Sequence, residues 1–325
     1  MKRIIRRLKK SFRKKVLKLK YKKYWILVPI PAFGDAFVTF SLIRAFKEKN
    51  GGKVLILTNK ESIKNLAKLF SDIDAVIFSP FVNLENSDEP IIGKPYYINF
   101  YQDFHGIKSR HMLSRAKLFL GLDENAKPVK PTTSKKVSDK IAAMIKELNP
   151  ENKSLILLSP DAVTVDSEYI GEDFWNELAK KFTDLNFLVI FNVDGRSNEK
   201  YSRYKKIFLP IEQMIVFSQK CHAIVGLRSG FLDVLAGSVS TKIICLYHVN
   251  HLFKNFKNDE KIKAAFETQF LWNDDLKVLQ NYINLCSLID MYDNKNIAEL
   301  IFEKNKNEEE LMSKIIELSK ISQKN

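Results

Sequence analysis

The chain is poor in the residues that mark several common protein classes. It holds three cysteines, Cys221, Cys245 and Cys286, each in an apolar stretch with no close neighbour of its kind. An odd count without metal spacing argues against a disulfide scaffold and favours a reducing compartment, where such cysteines act as small buried hydrophobes. Eleven glycines and 10 prolines in 325 residues exclude a collagen-like or low-complexity chain. No glycine-rich dinucleotide fingerprint follows an apolar run and no Walker loop is present, which argues against a dehydrogenase or an NTPase. No apolar run approaches the roughly 18–20 residues of a transmembrane helix. The basic N-terminus is not followed by the apolar core of a secretory signal. No His, Cys or carboxylate cluster has metal-ligand spacing, so no metal and no cofactor is expected. Asp72-Ile73-Asp74 spells Asp-x-Asp, but it precedes the apolar run Ala75–Phe78 and so starts a strand instead of ending one. It is discounted as a metal site.

What the chain does have is length, a core and an uneven charge. A length of 325 residues and 45% hydrophobic content imply two domains, each of about 100–200 residues. The net charge of +15 is not spread over the chain: residues 1–23 carry 13 Lys and Arg and no acid. The remainder has 40 basic and 38 acidic residues, or +2. A nucleic-acid enzyme usually spreads its basic residues over a folded face, so no nucleic-acid partner is expected. Within the arm, Ile5, Leu8, Phe12, Val16 and Leu19 follow helical spacing and form one apolar stripe. A basic amphipathic helix of this kind lies in an anionic headgroup layer. A solvated tail is the plain alternative.

Tyr24–Ile30 reads as a buried parallel strand, and PAFGDAF then turns into a helix that runs to Lys49. Lys53–Leu57 is a strand, Glu61–Phe70 a helix and Ala75–Phe78 a third strand, giving βαβαβ. Residues 80–135 are irregular, and Lys127–Lys136 reads as a linker or edge segment. A second set follows, with strands at Ser154–Ser159, Phe187–Phe191, Ala223–Gly226 and Lys242–Tyr247, and a short further candidate at Ile207–Leu209. Helices are expected at Phe174–Phe182, Ile211–Gln219 and Phe231–Ala236. The tail, from Leu276 to Ile321, is helical by period. The division expected is an arm at 1–23, one α/β domain at 24–150, a second at 151–275, and C-terminal helices at 276–325. Ligands in such folds bind beyond the carboxyl ends of the strands. That directs attention to Gly34-Asp35, Ser159-Pro160-Asp161, Asn192–Gly195, Arg228–Gly230 and Tyr247-His248.

Two of these segments carry a resemblance. Pro31-Ala32-Phe33-Gly34-Asp35-Ala36-Phe37-Val38-Thr39 is similar to the strand–Gly-Asp–helix opening of the bacterial heptosyltransferase-like glycosyltransferases (glycosyltransferase family 9), with Thr39 four residues after Asp35. Val225-Gly226-Leu227-Arg228-Ser229-Gly230-Phe231-Leu232-Asp233 is similar to their strand–Asp-(Ser/Thr)-Gly-x-x-His–helix pattern. Arg228 stands where the family usually has Asp, and Asp233 where it has His. The resemblance covers roughly residues 24–78 and 154–248. It implies the GT-B fold, two Rossmann-like doubly wound domains facing across a cleft.

Glycosyl transfer needs a base for the acceptor hydroxyl and stabilisation of the departing nucleotide diphosphate. In the resembled family the Asp matching Asp35 is the base. From the residues alone, a cap on the following helix is the favoured reading of Asp35, and the resemblance reverses that preference. Ser229 and Gly230 would offer amides to phosphate at a helix N-terminus, with Asp233 one turn on. Arg228 would either grip the same phosphate or pair with a nearby acid such as Asp233. Ser159 and His248 follow strands and would line the donor pocket, although a plain loop histidine is an equal reading of His248. Gly34, Thr39, His105 and Arg110 are candidates on the acceptor side. The expected function is metal-independent, inverting transfer from a nucleotide-sugar to a lipid-linked or surface-glycan acceptor, such as lipopolysaccharide core or capsule. The site of action would be the cytoplasmic face of the inner membrane. The alternative is a non-catalytic binding or scaffold protein of the same fold. If the arm instead binds nucleic acid, that binding falls steeply with salt and disappears when residues 1–23 are deleted; retention on anionic vesicles is the outcome expected of a membrane arm.

Overall fold

The computed structural model describes residues 24–30, 32–79, 97–99, 112–162, 170–193, 199–248, 287–292, 295–302 and 308–320. The basic arm at 1–23 lies outside them. The chain forms two compact units, Met1–Thr132 and Thr133–Asn325.

In the first unit, β1 (Tyr24–Val28) leads through α1 (Phe33–Ser41) and α2 (Ile43–Asn50) to β2 (Lys53–Thr58). The chain continues through α3 (Glu61–Ala67) and β3 (Ala75–Phe78) to β4 (Tyr97–Asn99) and α4 (Met112–Phe119). All the pairings are parallel and the strand order is β3-β2-β1-β4. Ile26, Val28, Leu55 and Leu57 pack together in one cluster, while Leu27, Val54 and Ile56 between them are also buried. A sheet covered on both faces requires such unbroken apolar strands.

The single helix expected up to Lys49 is two helices with a break at Leu42. Side chains weaken the ladder there: Thr39 Oγ1 donates to the Asp35 carbonyl (2.9 Å) and Ser41 Oγ to that of Val38 (2.7 Å). The Ser41 carbonyl itself accepts the Val129 N–H at 2.7 Å, outside the helix. Ser and Thr that bond back along a helix in this way bend it.

The second unit opens with α5 (Lys135–Leu148), a helix in a stretch for which no element is expected from sequence. Ser134 caps it, with Oγ accepting from Val137 N, and the Ser134 N–H donates to Glu212. That bond ties α5 to α7, so the helix belongs to the second unit and the division falls at Thr132–Thr133, not near residue 150. The elements that follow are β5 (Leu155–Ser159), α6 (Glu172–Asp184), β6 (Leu188–Asn192), β7 (Lys205–Ile207), α7 (Ile211–Ser218) and β8 (Ala223–Leu227). After them come α8 (Gly230–Ser238), β9 (Lys242–His248), α9 (Leu288–Tyr292), β10 (Ile297–Phe302) and α10 (Glu308–Lys320). The sheet is parallel throughout, in the order β10-β9-β8-β5-β6-β7. The tail is therefore not wholly helical: Ile297–Phe302 pairs with β9 from Ile243 to His248. Trp175, Phe182, Phe191 and Phe302 anchor the core on one face of this sheet.

The Asp-x-Asp pair is structural. Asp72 meets Arg44 at 3.2 Å and Asp74 meets Lys47 at 2.9 Å. Asp74 also accepts the Val54 N–H at 2.7 Å, which pins the start of β2. Burial pushes the Asp74 carboxyl up, but the Lys47 and Val54 hydrogen bonds and the Lys47 and Lys53 charges outweigh it and hold the group below its ordinary 3.8. A carboxyl depressed in the folded state stabilises above its ordinary value and loses that contribution as pH falls through the folded one. Asp74→Asn should therefore cost about 1 kcal/mol at neutral pH. Urea unfolding should show the difference from wild type closing in acid, below about pH 4.

Candidate functional site

Each sheet has one point where neighbouring strands send the chain in opposite directions. In the second unit β5 leads outward to β6 and β7, and β8 leads outward to β9 and β10. The switch point thus lies between β5 and β8, where ligands of doubly wound sheets bind beyond the carboxyl ends. Ser159 and Gly226 face each other there in register. A side chain at Gly226 would lie 2.9 Å from the Ser159 carbonyl oxygen and 3.0 Å from its Cβ, so only glycine fits. The Ser159 hydroxyl is buried and accepts from Asn192 Nδ2 (3.1 Å), at the end of β6. Asn192 lay in a segment worth inspecting by sequence, but its service to Ser159 had no sequence signal.

Beyond Leu227 the chain makes a short, fully determined turn. The Arg228 N–H donates to the Leu246 carbonyl (2.9 Å), which adds one bond to the β8–β9 pairing. Ser229 is extended and caps α8, with Oγ accepting from Leu232 N. Arg228 and Asp233 are each 3% exposed. The guanidinium grips the carboxylate through both nitrogens, Nη2–Oδ1 at 2.7 Å and Nη1–Oδ2 at 3.0 Å. Nη1 also donates to the Ser229 carbonyl at 3.0 Å. Of the two roles open to Arg228, the structure displays the pairing with Asp233.

His248 ends β9 and is fully buried, with Phe302 as its register partner. A polar cluster that the sequence did not reveal joins β9 to β10 on the face of the sheet opposite His248. The Glu299 carboxylate on β10 accepts from Tyr247 Oη (2.6 Å), Ser287 Oγ (2.7 Å) and Leu288 N (2.8 Å), so it caps α9 from the sheet. Its only mark in the sequence is one acid inside the apolar run Ile297–Phe302. Burial pushes the Tyr292 hydroxyl well above its ordinary value; the Asp233 charge adds to this and Arg228 offsets part of it. Burial likewise raises the Cys221 and Cys245 thiols, which are inert core groups here.

In the first unit the switch point lies between β1 and β4. The turn after β1 delivers Gly34 and Asp35 into the first turn of α1, Gly34 buried and Asp35 half-buried. The N-cap is Ala32, so Asp35 is not the capping residue. Thr39 is buried and its hydroxyl turns back to the Asp35 carbonyl. His105 and Arg110 lie outside the described residues. Among the described residues no three His, Cys, Asp or Glu side chains gather as a metal site, and no helix is long and apolar enough to cross a membrane.

The architecture is α/β with parallel sheets and is similar to that of solved GT-B heptosyltransferase structures. The solved structures it resembles are particular members of that class. ADP-heptose lipopolysaccharide heptosyltransferase II of E. coli matches with a TM-score of 0.63 and 10% identity, over 91% of this chain and 98% of that one. A family 9 glycosyl transferase from Veillonella parvula matches at 0.56 and 10%, over 82% and 97%. E. coli heptosyltransferase WaaC with ADP matches at 0.55 and 11%, over 91% and 99%. No protein-family model matches the chain, and no curated protein matches it in sequence.

Gly226→Ala tests the close approach at the switch point. The added methyl meets backbone of a neighbouring strand, so the variant should lose about 1–3 kcal/mol, read as a lower urea midpoint at unchanged slope.

Proposed function

We propose that this chain is a glycosyltransferase that moves a sugar from a nucleotide-sugar to a lipid-linked or surface-glycan acceptor, of the lipopolysaccharide-core or capsule kind. The observation that carries the proposal is a coincidence of place. The fold is that of the heptosyltransferases, and both motifs that resemble the family fall at the switch points of their own sheets.

In this scheme the Asp35 carboxylate takes the proton of the acceptor hydroxyl. The acceptor oxygen bonds to the anomeric carbon as that carbon's bond to the diphosphate oxygen breaks. The electron pair leaves with the diphosphate. Displacement from the opposite face inverts the configuration. The amides that open α8 face the leaving charge, and the helix dipole adds to their effect. Ser159 and His248 sit at the carboxyl ends of β5 and β9, on either side of β8. No step draws on a divalent metal. The basic arm would hold the enzyme on the inner face of the membrane, where such acceptors are assembled. A scaffold protein of the same fold is the second reading, favoured by the burial of Arg228 in an internal pair.

One neighbour is described as acting with ADP-heptose and another was solved with ADP, so ADP is the first ligand to try. Calorimetry against ADP, GDP, UDP and CMP without divalent metal should give binding of one nucleotide. Asp35→Asn should fold and bind it equally, yet lose roughly 100-fold or more in transfer. Absence of binding by all four to folded protein favours the scaffold.

A further inference from the structure

The chain passes from its first unit to its second between Thr132 and Thr133. Hydrogen bonds fasten it on either side of that point. The stretch that approaches the crossing is held to the first unit. Val129 N–H donates to the Ser41 carbonyl at 2.7 Å, beside the break between α1 and α2. Thr132 sends two bonds to one acceptor: its N–H and its Oγ1 donate to the Leu69 carbonyl, just beyond α3, at 2.7 and 2.9 Å. Pro128 and Pro131 stiffen the same stretch, because each fixes its own φ and restricts the residue before it.

The stretch that leaves the crossing is held to the second unit. The Ser134 N–H donates to Glu212 Oε1 at 2.8 Å, in the first turn of α7. A bond to a carboxylate is among the stronger ones. Ser134 also caps α5 through Val137 N, and the last carbonyl of that helix, on Leu148, accepts from Lys205 Nζ on β7. α5 is therefore tied to the second unit at both ends. Between the two fastened residues stands Thr133 alone. It lies outside α5, has no proline on either side, and among the described residues makes no hydrogen bond of its own.

We propose that Thr133 is the pivot between the two units, and that the Leu69 carbonyl and the Glu212 carboxylate are the stops that keep a bend from spreading into the linker on one side or α5 on the other. The reacting groups in the scheme under Proposed function come from both units. On that reading, which this consequence rests on, transfer requires one orientation among those the pivot permits. A bend confined to one residue shortens the search for it, as a slack tether would not.

The test measures the distance distribution between spin labels on Ser62→Cys and Glu177→Cys, exposed positions in α3 and α6, in full-length protein carrying Cys286→Ser. Glu212→Ala releases one stop and should widen the distribution about twofold. Its Tm should fall by no more than about 5 °C. Thr133→Pro fixes φ at the pivot and removes no hydrogen bond, so it should narrow the distribution to about half. If that variant does not fold, Thr133→Gly loosens the same torsions and should widen it instead. Widths that follow neither position overturn the proposal, because the bend then lies elsewhere. If Glu212→Ala loses more stability than this, Glu212→Gln, which keeps an acceptor oxygen for Ser134, should restore both Tm and width; its failure to do so overturns the role of the stop. In transfer, Glu212→Ala should lose roughly fivefold in rate while nucleotide affinity stays within about twofold of wild type. A widened distribution with unchanged transfer overturns the link to catalysis. Wild type that binds no nucleotide and transfers no sugar refutes the proposed function, and the label distances decide the pivot without it.

Discussion

Two adjacent strands whose chains depart in opposite directions leave a gap at one edge of a parallel sheet, and the second unit is arranged around that gap. β5 and β8 lie side by side at its centre. Their contact is so close that Gly226 has no room for a side chain against Ser159. Packing of this kind holds both carboxyl ends in fixed places. Ser159 is then anchored through Asn192 on the next strand, and the turn after Leu227 is tied to β9 through Leu246. The first unit repeats the arrangement on a smaller scale, with Gly34 and Asp35 carried beyond β1 at its own reversal.

The buried charges described in this core sit in matched sets. Arg228 is buried with Asp233, and Glu299 gathers three donors from two separate segments, the end of β9 and the head of α9. A lone buried charge is costly, whereas a paired and hydrogen-bonded one is tolerated and fixes geometry. The Glu299 cluster gives β10 a reason to sit beside β9. It caps α9 from the sheet, and α9 carries Tyr292 toward the Arg228–Asp233 pair. The edge of the sheet is thereby linked to the turn that opens α8.

The parallel strands were legible in the sequence because burial on both faces requires unbroken apolar runs such as KVLIL, LILL and KIICLY, and these leave little choice of period. Helix ends were legible where a turn residue marked them, as at Gly51. Other features depend on partners distant in sequence. The break at Leu42 follows from a carbonyl captured by Val129. α5 was hidden behind a Lys- and Pro-rich segment, although Ser134 gave it a good cap. Ile297–Phe302 carries Ala and Glu, which suit a helix, and only the open edge of β9 makes it a strand. At the site, spacing was enough to bring Ser159, Arg228, Ser229 and Gly230 to one edge. It did not decide whether Arg228 faces outward or inward, because a five-residue separation fits either until the rotamer is known.

The distribution of charge bears on how such a site would work. Without residues 1–23 the chain carries only +2, so its body creates little long-range attraction for an anionic nucleotide. The one arginine at the head of α8 is already matched by Asp233. Among the described residues, what the head of α8 would offer a diphosphate is short-ranged: oriented amides and a helix dipole whose influence fades within a turn. Short-range donors reward a ligand only when it is seated, and they strengthen as water is excluded. A leaving diphosphate gains charge at that stage of the reaction, so fixed amides assist departure more than encounter. The 13 basic residues of the arm act over a longer range, and an extended anionic surface answers them better than one small nucleotide does. On the proposed reading, charge would serve location and dipoles would serve chemistry, in different parts of the same chain.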